Sequence, residues 1–191
     1  IGDALQALEE LKKKLASEGL FDESRKKPLP PFPRRIGVIA GDKSAGLKDI
    51  LHNLAQRWPL AEVAVFPSLV QGKEAPRDLI RALSLAKEKA LDVLIIGRGG
   101  GSSEDLWAFN DESLVREVAK FPCPVISAVG HEIDTTLVDY VADKRVSTPT
   151  AAVIAATPDS QEVLATLDLQ GERIVRAVLA RLSALRQKVE L

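Results

Sequence analysis

Four short runs of apolar, largely β-branched residues alternate with amphipathic segments along the middle of the chain. This alternation predicts strands joined by helical crossovers, which lie parallel in one sheet with helices on both faces. We expect the strands at 36–40, 62–66, 92–97 and 124–129, in the spatial order 2-1-3-4. The predicted fold class is therefore α/β, with an open, mostly parallel four-stranded sheet and a long C-terminal helical segment.

The sequences on either side of this region divide the chain into three predicted parts. Leucines recur at helical spacing before Gly19, and the proline-rich sequence KKPLPPFPRR follows. Because proline excludes both helix and central strand, we expect this sequence to be an extended connector. We predict an N-terminal helix and connector at 1–34, an α/β domain at 35–157 and a helical segment at 158–191.

The C-terminal segment has a heptad-like stripe of apolar residues among charged ones. Its members are Leu164, Leu167, Ile174, Val178, Leu182, Leu185 and Val189. A narrow stripe of this kind is typical of a coiled coil or of a helix that docks on a partner. Gly171 is expected to weaken or split the helix. Packing of the helix on its own domain is the alternative.

The composition restricts the kinds of protein that the chain can be. The 191 residues are 46% hydrophobic and 28% charged with a net charge of −1, so nucleic-acid binding would depend on local charge. The single cysteine, Cys123, excludes an internal disulfide and favours a reducing compartment. We therefore predict a cytoplasmic protein without a membrane span. Because the chain begins with Ile1 and contains no Met, we expect it to be a piece of a longer protein.

The sequence GRGGGSS at 97–103 directly follows the third predicted strand. Ligands of open parallel sheets bind beyond the carboxyl ends of the strands, and glycines allow backbone N–H groups to approach an anion closely. Ser102 or Ser103 can also cap the next helix, with Glu104 and Asp105 in its first turn. A surface arginine on a flexible turn is the alternative. We predict a phosphate-binding loop that consists of Arg98 with Gly97, Gly99, Gly100, Gly101, Ser102 and Ser103.

The sequence GHEID at 130–134 follows the fourth predicted strand. His131 and Asp134 can share one turn, so that the carboxylate orients the imidazole. Imidazole is suited to moving a proton in phosphodiester cleavage near neutral pH. Asp134 can also cap the following helix, and a capping aspartate beside a structural histidine is the alternative to a catalytic pair.

Asp49 is expected in the first turn of the helix after the first strand. There it would face the same crevice as Arg98 and His131, beyond the carboxyl ends of the strands. A carboxylate that complements the helix dipole is its simplest role. Asp49 and Asp134 could also hold Mg²⁺, which needs few protein ligands. HEID is not the HExxH zinc pattern and Cys123 has no partner cysteine, so a structural zinc site is not expected.

Several motifs together resemble the large subunit of bacterial exodeoxyribonuclease VII. They are LKKKLASEGLFD, KKPLPPFPRRIGVIAG, SLVQGKEAP, DVLIIGRGGGSSEDLWAFNDE and PVISAVGHEIDTTLVDYVADKRVSTPTAA. The resemblance implies a nuclease that degrades single-stranded DNA from either end to short oligonucleotides. It also implies a complex with several small helical subunits, carried by C-terminal helices of the large subunit.

By position, the family's catalytic Asp, Arg, His and Asp correspond to Asp49, Arg98, His131 and Asp134. The resemblance leaves the cofactor open, because members of the family differ in their need for a divalent metal. The loop GDKSAGLKD departs from the family's Thr/Ser-Gly-Ala-Ala run. The family's N-terminal oligonucleotide-binding fold is missing from this chain, so we expect this piece to bind DNA weakly.

Two functions from other classes remain as alternatives. The first is a nucleotide- or phosphate-binding α/β domain without hydrolysis, since Gly97-x-Gly99 approximates a dinucleotide fingerprint, although it follows the wrong strand. The second is a helical interaction scaffold in which Arg98 has no role in activity.

Overall fold

The computed structural model describes residues 2–98, 103–130 and 134–189 of the chain. The helices are α1 Gly2–Ser17, α2 Ala45–Arg57, α3 Ala75–Lys87, α4 Glu112–Ala119, α5 Leu137–Val141, α6 Pro149–Ala156 and α7 Ser160–Val189. The strands are β1 Arg35–Ala40, β2 Glu62–Pro67, β3 Val93–Gly97, β4 Val125–Ala128 and β5 Lys144–Arg145. Two 3-10 helices cover Glu23–Arg25 and Ser103–Asn110.

The strands form one parallel sheet in the order β2-β1-β3-β4-β5. The α/β class and the predicted order of the first four strands are confirmed. The predicted strand number is corrected from four to five, because Lys144 and Arg145 pair with Ile126 and Ser127 of β4. The added strand has only two residues, both charged, so it carries no apolar run by which sequence reasoning could recognise it.

Both faces of the sheet are covered by helices, and β3 shows how its residues are divided between them. Leu94 and Ile96 pack in a core cluster with residues of α3, α4 and α5. Val93 and Ile95 point to the other face and pack with residues of α2 and α6. These four side chains are at most 1% exposed, and burial of each contributes about 1.5–3 kcal/mol. The apolar run of β3 therefore belongs to a strand that is buried on both sides.

Side-chain caps mark where α2 and α6 begin. Ser44 accepts a hydrogen bond from the Leu47 N–H at the start of α2, and Thr148 accepts one from Ala151 at the start of α6. The expected cap at Thr148 is confirmed. Since α2 begins at Ala45, Asp49 lies beyond its first turn, which corrects its predicted place.

The helix after the glycine-rich sequence also differs from the prediction. Residues Ser103–Asn110 form a 3-10 helix, and α4 begins at Glu112 with Asp111 as its cap. Glu104 and Asp105 therefore lie in the first turn of the next helix as expected, although this helix is a 3-10 helix. The Asp111 carboxylate accepts from the Leu114 N–H at 3.0 Å, and this bond stabilises the start of α4.

The N-terminal segment packs against the α/β layers. Leu15 of α1 is fully buried in the core cluster with α3, α4 and α5. Gly19 ends α1 with a φ of 73°, a left-handed conformation that suits glycine. The Arg116 guanidinium of α4 pairs with Glu18 at 2.7 Å. The expected end of the helix at Gly19 is confirmed.

The C-terminal helix α7 is continuous from Ser160 to Val189. The helix is therefore not split at Gly171, and a local weakening of the helix there stays a prediction. None of its described residues is buried, so the apolar stripe lies open to solvent. At 1.5 Å per residue the helix is about 45 Å long. In the described part of the chain, no helix is both long and apolar enough to cross a membrane.

Candidate functional site

A crevice is expected between the carboxyl ends of β1 and β3, because the chain leaves these neighbouring strands toward opposite faces. After β1 it continues into α2, whose buried residues belong to one core cluster. After β3 it continues toward α4, whose buried residues belong to the other. Such a switch point is where ligands bind in open parallel sheets. Asp49 follows the first of these strands and Arg98 the second.

Arg98 directly follows β3 at the carboxyl edge of the sheet and is only 6% exposed. Its backbone N–H donates to the Ala128 carbonyl of β4 at 3.3 Å, so the β3–β4 pairing extends through this residue. Strand alternation puts Arg98 on the same face as Leu94 and Ile96. A buried guanidinium needs polar partners in a defined geometry. This burial argues against a surface arginine on a flexible turn.

Asp49 approaches the end of β3 from the other face of the sheet. Its neighbour Ile50 is fully buried, and a Cβ added to Gly97 would lie 3.0 Å from the Ile50 Cδ1 atom. Gly97 therefore allows the start of α2 to pack tightly against the carboxyl end of β3. Asp49 itself is exposed, so its carboxylate is open to solvent.

Asp134 lies in the loop between β4 and α5, and its main chain folds back against Gly130. A Cβ on Gly130 would collide with the Asp134 carbonyl oxygen. Asp134 is exposed, and it does not cap α5. That role belongs to Thr136, whose hydroxyl oxygen accepts from the Asp139 N–H. The capping prediction for Asp134 is wrong, and the Asp134 carboxylate is left accessible at the edge of the sheet.

Part of the predicted site lies outside the described residues. His131 and the predicted phosphate-binding residues Gly99, Gly100, Gly101 and Ser102 belong to this part. Their predicted roles stay predictions. The described residues on either side, Gly97 and Arg98 on one loop and Gly130 and Asp134 on the other, lie at adjacent positions of the same sheet edge.

A buried polar cluster beside this edge was missed by sequence reasoning. The Asp139 carboxylate, whose side chain is 0% exposed, accepts from the Ser127 hydroxyl at 2.6 Å and from the Thr136 N–H at 2.8 Å. Arg145 of β5 lies with its Nε atom 4.0 Å from this carboxylate. One signal was present, because Thr136 and Asp139 have the spacing of a capping box.

The described residues contain no group of three or more His, Cys, Asp or Glu side chains placed to hold a metal ion. Asp49 and Asp134 are both exposed, and their use as Mg²⁺ ligands stays a prediction. A cavity of about 850 Å³ lies at the opposite, amino-terminal edge of the sheet, where Phe32, Trp58 and Arg35 are among its lining residues.

Comparison with known proteins decides the family. The family model described as "Exonuclease VII, large subunit" matches residues 20–191. The chain belongs to the exonuclease VII large-subunit family. The resemblance that the motifs carry is thus confirmed. The family match covers β1 through β5 and both loops of the candidate site.

Individual relatives in this family resemble the chain over nearly its whole length. The exodeoxyribonuclease 7 large subunit of Legionella pneumophila strain Paris is 50% identical over 190 residues. The proteins of the same name from Streptococcus gordonii and Bacillus subtilis are 47% and 44% identical over 191 residues. These alignments cover 99–100% of this chain and 43% of each relative. The chain therefore spans less than half the length of the relatives that it matches.

Proposed function

We propose that the protein to which this chain belongs is an exonuclease that hydrolyses phosphodiester bonds of single-stranded DNA to short oligonucleotides. It acts as the catalytic large subunit of a multisubunit complex. The observation that supports this most is the buried Arg98 at the switch-point edge, beside the β4 loop that carries Asp134. Membership of the exonuclease VII large-subunit family supports the same reaction.

Arg98 binds the scissile phosphate in this proposal. A guanidinium offers two parallel N–H donors to two phosphate oxygens, and it stays charged at any working pH. During attack by water, negative charge grows on the phosphate oxygens. A donor that is already held in place stabilises this charge more than it stabilises the ground state.

His131 and Asp134 supply the proton transfers. Water attacks phosphorus and loses a proton, while the bond from phosphorus to the leaving oxygen breaks and that oxygen gains a proton. His131 serves as general base or general acid in one of these steps, and Asp134 orients it. Asp49, on the other side of the crevice, positions the water, a lysine or a metal ion.

The test is release of acid-soluble product from end-labelled single-stranded DNA by the full-length complex, with and without EDTA. We expect His131→Ala to lower the single-turnover rate by about 10²–10⁴. His52→Ala is the matched control, because His52 is the only other histidine and lies exposed on α2. Equal rates for the two variants would remove His131 from the chemistry. A wild-type complex that binds nucleotide but releases no product would favour the phosphate-binding alternative.

The small subunits of the complex bind to α7 in this proposal. Its apolar stripe includes Val178 and Leu182, which are 52% and 53% exposed, and exposed apolar surface of this kind marks an interaction site. We expect Val178→Asp with Leu182→Asp to abolish co-purification of the small subunits. Ala180→Asp, about half a helical turn from both residues, should retain it. Retention by the double variant would exclude this surface.

A cytoplasmic location is part of the same proposal. It is supported by the single cysteine, which is buried and would remain a thiol in a reducing compartment.

A further inference from the structure

The carboxylate of Asp139 is fully buried and has several donors around it. Oδ1 accepts from the Ser127 hydroxyl at 2.6 Å, and Oδ2 accepts from the N–H and the hydroxyl of Thr136 at 2.8 and 2.9 Å. The side chain is 0% exposed. A carboxylate is costly to bury and is retained only where its oxygens are satisfied. The burial of the Asp139 carboxylate therefore requires that Ser127 and Thr136 stay in place as its donors.

These donors lie on both sides of one loop. Ser127 is in β4, just before the loop that runs from Val129 to Thr135, and Thr136 follows that loop. Gly130, inside the loop, passes so close that a Cβ there would lie 2.6 Å from the Asp139 Oδ2 atom. One carboxylate thus ties the beginning of the loop to its end.

The Asp139 carboxylate also lies near the guanidinium of Arg145, on the face of the sheet that Arg98 occupies. The pairing of the strands puts Ile96, Ser127 and Arg145 in one row across β3, β4 and β5. Arg98 lies two residues beyond Ile96, so the alternation of the strand puts it on the same face as this row. The Arg145 Nε atom is 4.0 Å from Asp139. Asp139 therefore lies on the face of the sheet that Arg98 shares.

We propose that Asp139 is a positioning residue for the nuclease reaction. It fixes Gly130 and Asp134, which are described residues between β4 and α5, relative to Arg98. This inference rests on the proposed function. Asp139 itself does not contact the DNA. Its effect is on the geometry of the catalytic groups, and a displacement of about 1 Å in such groups can lower a rate by 10²-fold.

Asp139→Asn tests the proposal, because the amide keeps the shape but loses one of the two accepting oxygens. The chain offers a matched control in Asp143, whose side chain is 5% exposed. The Asp143 carboxylate accepts at 2.7 Å from the N–H groups of Lys27 and Val125, at the other end of β4. Asp143→Asn therefore removes a comparable buried acceptor far from the candidate site.

In the full-length complex, we expect Asp139→Asn to lower kcat on single-stranded DNA about 10²-fold with KM within about twofold of wild type. Asp143→Asn should leave kcat within about twofold of wild type, although it also loses a buried acceptor. Ser127→Ala removes one donor and should lower kcat less than Asp139→Asn. If Asp139→Asn does not fold, kcat of Ser127→Ala is compared with kcat of Asp143→Asn, and equal values would overturn the proposal.

Hydrogen exchange gives a readout that does not depend on cleavage. The peptide that includes Thr136 should exchange faster in Asp139→Asn than in Asp143→Asn, since one amide oxygen replaces the two oxygens that now accept from Ser127 and Thr136. Equal kcat values for the two aspartate variants, or unchanged exchange at Thr136, would overturn the proposal. If the wild-type complex releases no product, the proposed nuclease function fails by itself. The exchange experiment then decides alone whether Asp139 fixes the loop.

Discussion

A methyl group added at Gly130 should lower the rate of DNA cleavage by more than its effect on stability explains. Gly130 lies buried two residues after β4, in the loop that carries Asp134. A Cβ added there would collide with the Asp134 carbonyl oxygen and lie 2.6 Å from the Asp139 Oδ2 atom. To restore ordinary van der Waals contact, the Asp139 carboxylate would have to retreat by about 0.8 Å.

The atoms next to this methyl group cannot move away without breaking hydrogen bonds or shifting the main chain. Asp139 is held by Ser127 and Thr136, and the Asp134 carbonyl belongs to the main chain. We expect Gly130→Ala to displace the loop by roughly 1 Å, which lowers kcat on single-stranded DNA about 10²-fold. Overpacking at this position should cost about 1–3 kcal/mol of folding free energy. For a domain of this size, each kcal/mol lowers Tm by about 2–4 °C.

The measurement is kcat, KM and Tm of the full-length complex, with Gly37→Ala as the control. Gly37 is buried in β1, where an added Cβ would collide with the Leu91 side chain and lie 2.9 Å from the Leu94 Cδ1 atom. It lies near the amino-terminal edge of the sheet, so Gly37→Ala should lower Tm and leave kcat within about twofold of wild type. If both variants lose kcat in proportion to Tm, the geometric argument for the β4 loop is refuted.

Three further predictions concern Arg98, Asp92 and Cys123. Arg98→Lys keeps the charge but loses the planar pair of donors, so single-turnover cleavage should fall about 10²–10³-fold with little change in DNA affinity; a rate near wild type would contradict the phosphate role. Burial opposes ionisation of Asp92, but N–H groups and charges of Arg35 and Arg34 hold its pKa below the usual value. Its contribution to stability is therefore complete above about pH 5 and is lost as pH falls through the lowered pKa. In guanidinium unfolding, wild type and Asp92→Asn should differ most near neutral pH and converge in acid, and a constant difference would refute this. Burial also raises the pKa of the Cys123 thiol to about 11, so a thiol reagent should label it slowly in the native protein and rapidly in urea.

Much of the candidate site could be located from the sequence, because chemistry-bearing residues follow predicted strands. Arg98 comes directly after β3, and Gly130 and Asp134 come after β4. Parallel strands bring these ends to one edge whatever the details of packing. The family motifs occupy the same loops, so the resemblance and the strand pattern indicate the same edge.

Other predictions were wrong because they depend on where a helix begins or whether it continues. Asp134 and Thr136 are both plausible caps by residue type, and Thr136 is the observed one because Asp139 completes a capping box with it. Gly171 lowers helix propensity, yet α7 continues through it.

The sequence alone determined the α/β class, the order of four strands and the edge at which Arg98 and Asp134 lie. The periodicity of apolar residues carries the fold class, since it records which faces of each element are buried, and parallel pairing brings the carboxyl ends of the strands to one edge. The tertiary structure alone decided the fifth strand and the buried contacts among Ser127, Thr136 and Asp139. These contacts join residues whose partners are defined only once β4, α5 and β5 have packed together, and no local pattern encodes that packing.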